Sequence, residues 1–209
     1  MSVQEFERNY KKVLPSSKSA AILDLGCGDG AFLSWLKKKG YEDLTGVDLK
    51  PASIDGVVFH RDEIIRFLQS NRKRYDLIML RFVIEHFKKE DLNTLVELLD
   101  LRLVSGGRLV IETPNAGFIL AASQRWADLE HEVMFTPETL SKLLSTHFKI
   151  KRRGYSCPAG IRARTTLLLF WFPLRFFLWL LAIGNWRFLV PPLSIGPEDA
   201  AFIVECVRK

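Results

Sequence analysis

The sequence predicts an α/β protein built on a doubly wound, mostly parallel sheet of seven strands. Three observations carry that expectation. Short apolar runs alternate with helix-like periodicity along residues 1–148, the pattern of strands joined by crossover helices. The first apolar run, Ile22-Leu23-Asp24-Leu25, ends at Gly26-Cys27-Gly28-Asp29-Gly30. Glycine at every second position there marks a sharp turn that a ligand can approach closely. The second run, Leu44–Asp48, again ends on an acid, about twenty residues beyond the glycine loop.

The elements follow in order. Ala21–Leu25 reads as a buried strand. Ala31–Lys39 reads as a helix with Phe32, Leu33 and Leu36 on one face, a lysine-rich end and Gly40 as its stop. Leu44–Asp48 and Val57–His60 are the second and third strands, and Asp62–Ser70 is a short helix. Asp76–Leu80 is the fourth strand. Asp91 is the expected cap of a helix through Leu103, closed by Ser105-Gly106-Gly107, and Arg108–Glu112 is the fifth strand. Thr136-Pro137-Glu138 starts a further helix, with threonine as cap and proline in the first turn. Phe148–Tyr155 and Ala201–Val207 are the sixth and seventh strands. In sheets of this kind ligands sit beyond the carboxyl ends of the strands.

The chain has 209 residues, which fits one domain (1–209) with an elaboration at 156–200. Met1 to Tyr10 is polar and charged, unlike a secretory signal. Cys27, Cys157 and Cys206 form no C-x-x-C pair, so neither a disulfide framework nor a metal site is expected, and a reducing cytoplasm fits best. The net charge of +6 is uneven: residues 1–148 hold 20 Lys and Arg against 21 Asp and Glu, and residues 149–209 hold 10 against 3. That basic end is also the most apolar, which points to an anionic membrane surface more than to nucleic acid. A basic rim around a dimer contact is the alternative.

A nucleotide-type cofactor is the natural occupant of the glycine loop. Asp24 can order that loop through its amides or accept bonds from a cationic amine on the ligand. Asp48 suits a ribose diol. Gly26-x-Gly28-x-x-Ala31 also satisfies the looser dinucleotide pattern, so these residues by themselves leave a nicotinamide cofactor open.

Leu23-Asp24-Leu25-Gly26-Cys27-Gly28-Asp29-Gly30 and Gly46-Val47-Asp48 come first in a longer series of motifs. Tyr75-Asp76-Leu77-Ile78, Ile84-Glu85-His86-Phe87, Gly106-Gly107-Arg108-Leu109-Val110-Ile111 and Phe135-Thr136-Pro137-Glu138-Thr139-Leu140 continue it. In this order and spacing the chain resembles the class I S-adenosylmethionine-dependent methyltransferases, in particular the group acting on small molecules, glycans and quinones. The resemblance covers about Tyr10 to Tyr155 and implies a Rossmann-like fold whose seventh strand is antiparallel and inserted into the sheet. It implies S-adenosylmethionine as cofactor. Gly26, Gly28 and Gly30, with Cys27 between them, would wrap its methionine part. Asp48, with Leu49 beside it, would hold the ribose hydroxyls, and Asp62 and Glu63 would lie near the adenine amino group. The backbone around Leu80 and Arg81 would meet the methionine ammonium. Arg81 departs from the small polar residue often found there, and is expected to point away or to pair with an acid. A nicotinamide-dependent oxidoreductase and a non-catalytic S-adenosylmethionine-binding module are the competing classes.

A sulfonium methyl is already activated, so holding the acceptor in line supplies much of the catalysis. A hydroxyl acceptor still has to lose a proton. The candidate bases are His131 and His86, with Glu112 and Asn115 after the fifth strand, and for each histidine a structural or substrate-orienting role is the preferred alternative. Glu130 and Glu132 flank His131 and would favour its protonated form. Thr113-Pro114-Asn115 lacks the double proline and aromatic of nucleobase amino methyltransferases, so no nucleic-acid substrate is expected. Gly117–Leu129, with Trp126, is expected to cap an acceptor pocket.

Leu167 to Ile183 reads LLLFWFPLRFFLWLLAI. It is at the short margin for a spanning helix, and Pro173 favours two shorter helices. The run lies between the sixth and seventh strands, and a single crossing would leave the seventh strand on the wrong side. Peripheral contact of residues 165–190 with the inner face of the membrane is therefore expected, with a homodimer contact or a pocket lid as the alternative. The expected acceptor is lipid-linked, glycan-like or otherwise hydrophobic, such as a quinone precursor, and the expected transfer is to oxygen.

Overall fold

The computed structural model describes residues 3–50, 52–117, 129–155 and 201–209. The helices are α1 (Val3–Tyr10), α2 (Ala31–Lys38), α3 (Ile64–Ser70), α4 (Leu92–Arg102) and α5 (Pro137–Leu144). The strands are β1 (Ile22–Leu25), β2 (Leu44–Asp48), β3 (Val58–Arg61), β4 (Tyr75–Arg81), β5 (Leu103–Pro114), β6 (Phe148–Tyr155) and β7 (Ala201–Arg208). All seven strands form one sheet in the order β3-β2-β1-β4-β5-β7-β6. β1 to β5 are parallel to their neighbours, whereas β7 is antiparallel to both β5 and β6. β6 therefore points the same way as β1–β5, and β7 alone is reversed, as expected.

Strict alternation divides the strand side chains between two cores. Leu23, Leu25, Ile78, Leu80, Leu109, Ile111 and Val204 pack on one face with Phe67, Leu95, Leu99 and Leu140 from α3, α4 and α5. Ile22, Leu77, Met79, Val110 and Ile203 pack on the other with Phe6, Tyr10, Phe32 and Trp35 from α1 and α2. Helices on both faces explain why β1 is buried along its whole length.

Two local expectations need correction, and one element was not expected. Asp91 does not cap α4: it sits in a 3-10 turn (Lys89–Asp91) with helical backbone, and its side chain makes no capping bond. Ser105-Gly106-Gly107 does not close that helix but lies within β5, which begins directly at Leu103 and tolerates them through a register shift against Tyr75 and Leu77. The polar-looking N-terminus forms α1, because Phe6 and Tyr10 fall four residues apart on one buried face. The expected cap of α5 is present: Thr136 and Thr139 form a reciprocal capping box ahead of Pro137.

The sheet fixes where residues 156–200 join the domain. Tyr155 stands opposite Phe202 at the carboxyl end of β6, and Ala201 stands opposite Pro114 at the carboxyl end of β5. The chain thus leaves and re-enters at the end of the sheet that carries the glycine loop. The segment itself, with Leu167 to Ile183, lies outside the described residues, as does 118–128 with Trp126. Among the described residues no helix is long and apolar enough to cross a membrane.

Candidate active site

The glycine loop is tied to the sheet by backbone. The amides of Gly26 and Cys27 both donate to the Val47 carbonyl, at 2.8 and 3.1 Å, and the Gly30 amide donates to the Cys27 carbonyl at 2.9 Å. Gly26 has φ +72°, and a Cβ there would collide with the Val83 side chain. Gly28 has φ +51°, yet a Cβ there would meet no atom of the described residues within 4 Å. Backbone that turns left-handed beside open space is what a close-fitting ligand needs.

Asp48, at the end of β2, faces this loop. Its Oδ2 accepts from the Gly28 amide and its Oδ1 from the Lys50 amide, each at 2.9 Å. Two amides fix the carboxylate, and each oxygen keeps lone-pair capacity for a hydroxyl. Leu49 beside it is 61% exposed, an apolar side chain presented at the rim. Asp62 and Glu63 follow β3, the next strand over. The Glu63 amide donates to Asp62 Oδ1 at 2.9 Å, and Arg66 lies 3.6 Å from the same oxygen. Cys27 is buried, and desolvation, with Asp24 and Asp48 nearby, pushes its thiol up to about 12. Leu80 is wholly buried, which leaves only its backbone for a ligand.

Asp24 does not take the loop-ordering role expected of it. It is fully buried, and its Oδ2 accepts from the Arg81 guanidinium at 3.1 Å. Burial pushes its carboxyl above the ordinary range, with Arg81 opposing that shift. The loop is ordered by Val47 instead. Arg81 pairs with an acid, as expected, and its guanidinium also lies 4.5 Å from the Phe32 ring centroid and 5.4 Å from that of Phe6. It is held among carboxylate and aromatic faces.

Above β4 and β5 the site consists of side chains. A short 3-10 turn, Ile84–His86, follows β4. The Glu85 carbonyl accepts from the amides of Glu132 and Val133, at 2.9 and 3.1 Å, which clamps the segment carrying His131 onto this turn. The rings of His86 and His131 meet with centroids 4.9 Å apart. His86 Nδ1 donates to the Glu130 carbonyl at 3.2 Å. Glu85 is 1% exposed, and its Oε2 accepts from the Thr113 hydroxyl at 3.0 Å. Burial pushes the Glu85 carboxyl up to about 7, against the Thr113 hydroxyl and His86. The remaining two base candidates are engaged elsewhere: Glu112 is wholly buried and accepts from the Tyr10 hydroxyl, and the Asn115 side-chain oxygen accepts from the Gly117 amide at 2.9 Å.

Residues 3–147 match the family described as "Methyltransferase domain". The chain belongs to that family. The methyltransferase is similar in fold to a SAM-dependent methyltransferase from Archaeoglobus fulgidus (TM-score 0.69, 20% identity, 99% of this chain and 95% of that one). It is also similar to the N-methyltransferase NodS from Bradyrhizobium japonicum, solved with S-adenosylhomocysteine (0.62, 16%, 98% and 84%). A third is magnesium protoporphyrin IX methyltransferase from Synechocystis, solved with SAM (0.54, 15%, 91% and 71%). A 39-residue stretch is 46% identical to EEF1A lysine methyltransferase 2 from Danio rerio, spanning 19% of this chain and only 17% of that relative. The family makes this a methyltransferase domain, and the open space beside Gly28 and the fixed Asp48 carboxylate fit S-adenosylmethionine as its cofactor.

Sequence reasoning missed three residues around the candidate site. Phe82, just past β4, has φ +55° and is 41% exposed, with its amide bonded to the Glu112 carbonyl at 2.8 Å. A left-handed phenylalanine is strained and persists only where its surroundings hold it. No sequence signal marks it. Glu85 stood within a quoted motif, but its acid–base character comes from burial that the motif does not reveal. Tyr10 needed α1 to bring it to Glu112.

Proposed function

We propose that this protein transfers the methyl group of S-adenosylmethionine to an oxygen of a hydrophobic, lipid-linked acceptor, of the glycan-intermediate or quinone-precursor kind, at the inner face of the membrane. The cofactor supplies an activated sulfonium methyl. Gly26, Cys27, Gly28 and Gly30 would wrap its methionine part, Asp48 and Leu49 its ribose, and Asp62 and Glu63 the adenine. Leu80 and Arg81 would contribute backbone. His86 and His131 are the side chains that would face and orient the acceptor's oxygen.

One observation carries the acceptor class. The apolar, basic segment 156–200 is anchored at Tyr155 and Ala201, at the same end of the sheet as the cofactor loop. An apolar segment rooted at the mouth of the site can bring a membrane-dissolved acceptor to the methyl donor. The excess of Lys and Arg after residue 148 supports contact with anionic headgroups.

Two experiments test this. The full-length protein should float with anionic vesicles at low salt and less at high salt. With tritiated S-adenosylmethionine and a membrane lipid extract, label should enter the organic phase. Label confined to water-soluble products, with no flotation, would contradict the reading.

A further inference from the structure

We infer that Glu85, His86 and His131 form a divalent-cation site beside the methyl-transfer site. Among the described residues, these three alone gather closely enough to hold an ion: one carboxylate oxygen and one ring nitrogen of each histidine all lie within 4.8 Å of one another. Two ligands on a tetrahedral cation stand roughly 3.4 Å apart, so the cluster need contract by at most about 1.4 Å. Two imidazoles and a carboxylate suit zinc, manganese, cobalt or iron in the divalent state better than magnesium or calcium.

Three further observations point to an ion. Glu85 Oε1 is buried and accepts no hydrogen bond among the described residues. A buried carboxylate oxygen left so is costly, and a cation relieves that cost. His86 donates its Nδ1 proton to the Glu130 carbonyl, which leaves the lone pair on Nε2. Such a bond from the other ring nitrogen is the usual outer support of a ligating histidine. Finally, the clamp of Glu132 and Val133 on the Glu85 carbonyl holds the two ligand-bearing segments together although His131 lies 46 positions beyond Glu85 in the chain. A constellation fixed by backbone is preorganised for its ion.

Three protein ligands leave at least one coordination position open, as catalytic sites do. On the methyl-transfer reading, on which this role alone rests, an acceptor oxygen takes that position after giving its proton to solvent. The two histidines are then ligands and not bases. Nothing along the chain hints at this, because cysteine spacing says nothing about a Glu-His pair meeting a distant histidine.

The test is a Co2+ titration of the metal-free, full-length protein, followed by visible absorption, with S-adenosylhomocysteine calorimetry on the same samples. One Co2+ per chain is expected. His86→Gln and His131→Gln, both at positions with solvent exposure, should each weaken it at least tenfold while leaving the unfolding midpoint in place. Absence of Co2+ uptake, or uptake that both substitutions leave unchanged, overturns the site. Retained S-adenosylhomocysteine binding in that case leaves the methyltransferase reading standing. Co2+ uptake without S-adenosylhomocysteine binding upholds the site and removes that reading.

Discussion

Above β1 and β2 the site is made of backbone: three left-handed glycines, two amides on the Val47 carbonyl, and two more amides holding Asp48. Above β4 and β5 it is made of side chains drawn from distant segments, with Tyr10 on Glu112, Arg81 on Asp24, and Glu85 among Thr113, His86 and His131. The first half presents fixed dipoles to a ligand with a constant structure. The second half places charged and titratable groups that depend on one another. Substitutions in the first should therefore change binding, and substitutions in the second should change stability or protonation.

The largest effect should come from Asp24→Ala. It leaves the Arg81 guanidinium buried without its carboxylate, and breaking a buried pair in this way costs about 3–5 kcal/mol. For a domain of this size that is a fall of roughly 6–20 °C in the unfolding midpoint. Asp24→Leu combined with Arg81→Met should recover most of the loss, since apolar replacement of both partners is often close to neutral. A thermal melt of the three proteins checks this, and a double variant no better than Asp24→Ala would break the comparison.

Next comes Asp48→Ala. Losing a charged acceptor for two ribose hydroxyls should weaken S-adenosylhomocysteine by roughly 100-fold. Stability should change far less than in Asp24→Ala, because Asp48 is only partly buried and its amide donors can reach water. Unchanged affinity in calorimetry would put the cofactor elsewhere.

Gly28→Ala sharpens the same half. Its left-handed backbone makes a side chain cost about 1–2 kcal/mol, but the added Cβ meets no atom of the described residues within 4 Å. If the cofactor fills that space, affinity should fall at least tenfold, about 1.4 kcal/mol, beyond the effect on folding. An Ala variant that binds as tightly as the parent would show that the ligand stays away from this loop.

The smallest effect is an absence of reaction. Burial holds the Cys27 and Cys206 thiols up at about 12, so at pH 8 only about one in ten thousand is thiolate. Iodoacetamide should label both slowly in the native protein and quickly in urea, as read by peptide mass spectrometry. Fast native labelling of Cys27 would mean that the loop opens.

The same contrast explains what was legible in the sequence. The centre of the sheet could be read because β1, followed by Gly26, and β2, ending at Asp48, are short apolar runs and β4, β5 and β7 each carry an apolar stretch, and the order of those runs encodes the crossovers. The cofactor half could be read because glycines at Gly26, Gly28 and Gly30 are demanded by backbone geometry, which leaves its mark on a contiguous segment. Asp24 misled because its neighbours along the chain suggest a loop acid, whereas its partner, Arg81, is 57 positions away. β5 was read short because Gly106-Gly107 look like a helix stop, but the sheet ladder overrides that local preference. His86 and His131 were read as separate base candidates, and Glu85 only as part of a motif, because only the clamp between Glu85 and Glu132–Val133 joins them.

The central claim is that the bend after β1 and the acid ending β2 hold S-adenosylmethionine. Calorimetric titration of the full-length protein with S-adenosylhomocysteine and, separately, with NAD tests it most directly. The account predicts one S-adenosylhomocysteine site per chain and no heat of binding with NAD. Saturable NAD binding without any response to S-adenosylhomocysteine would contradict it.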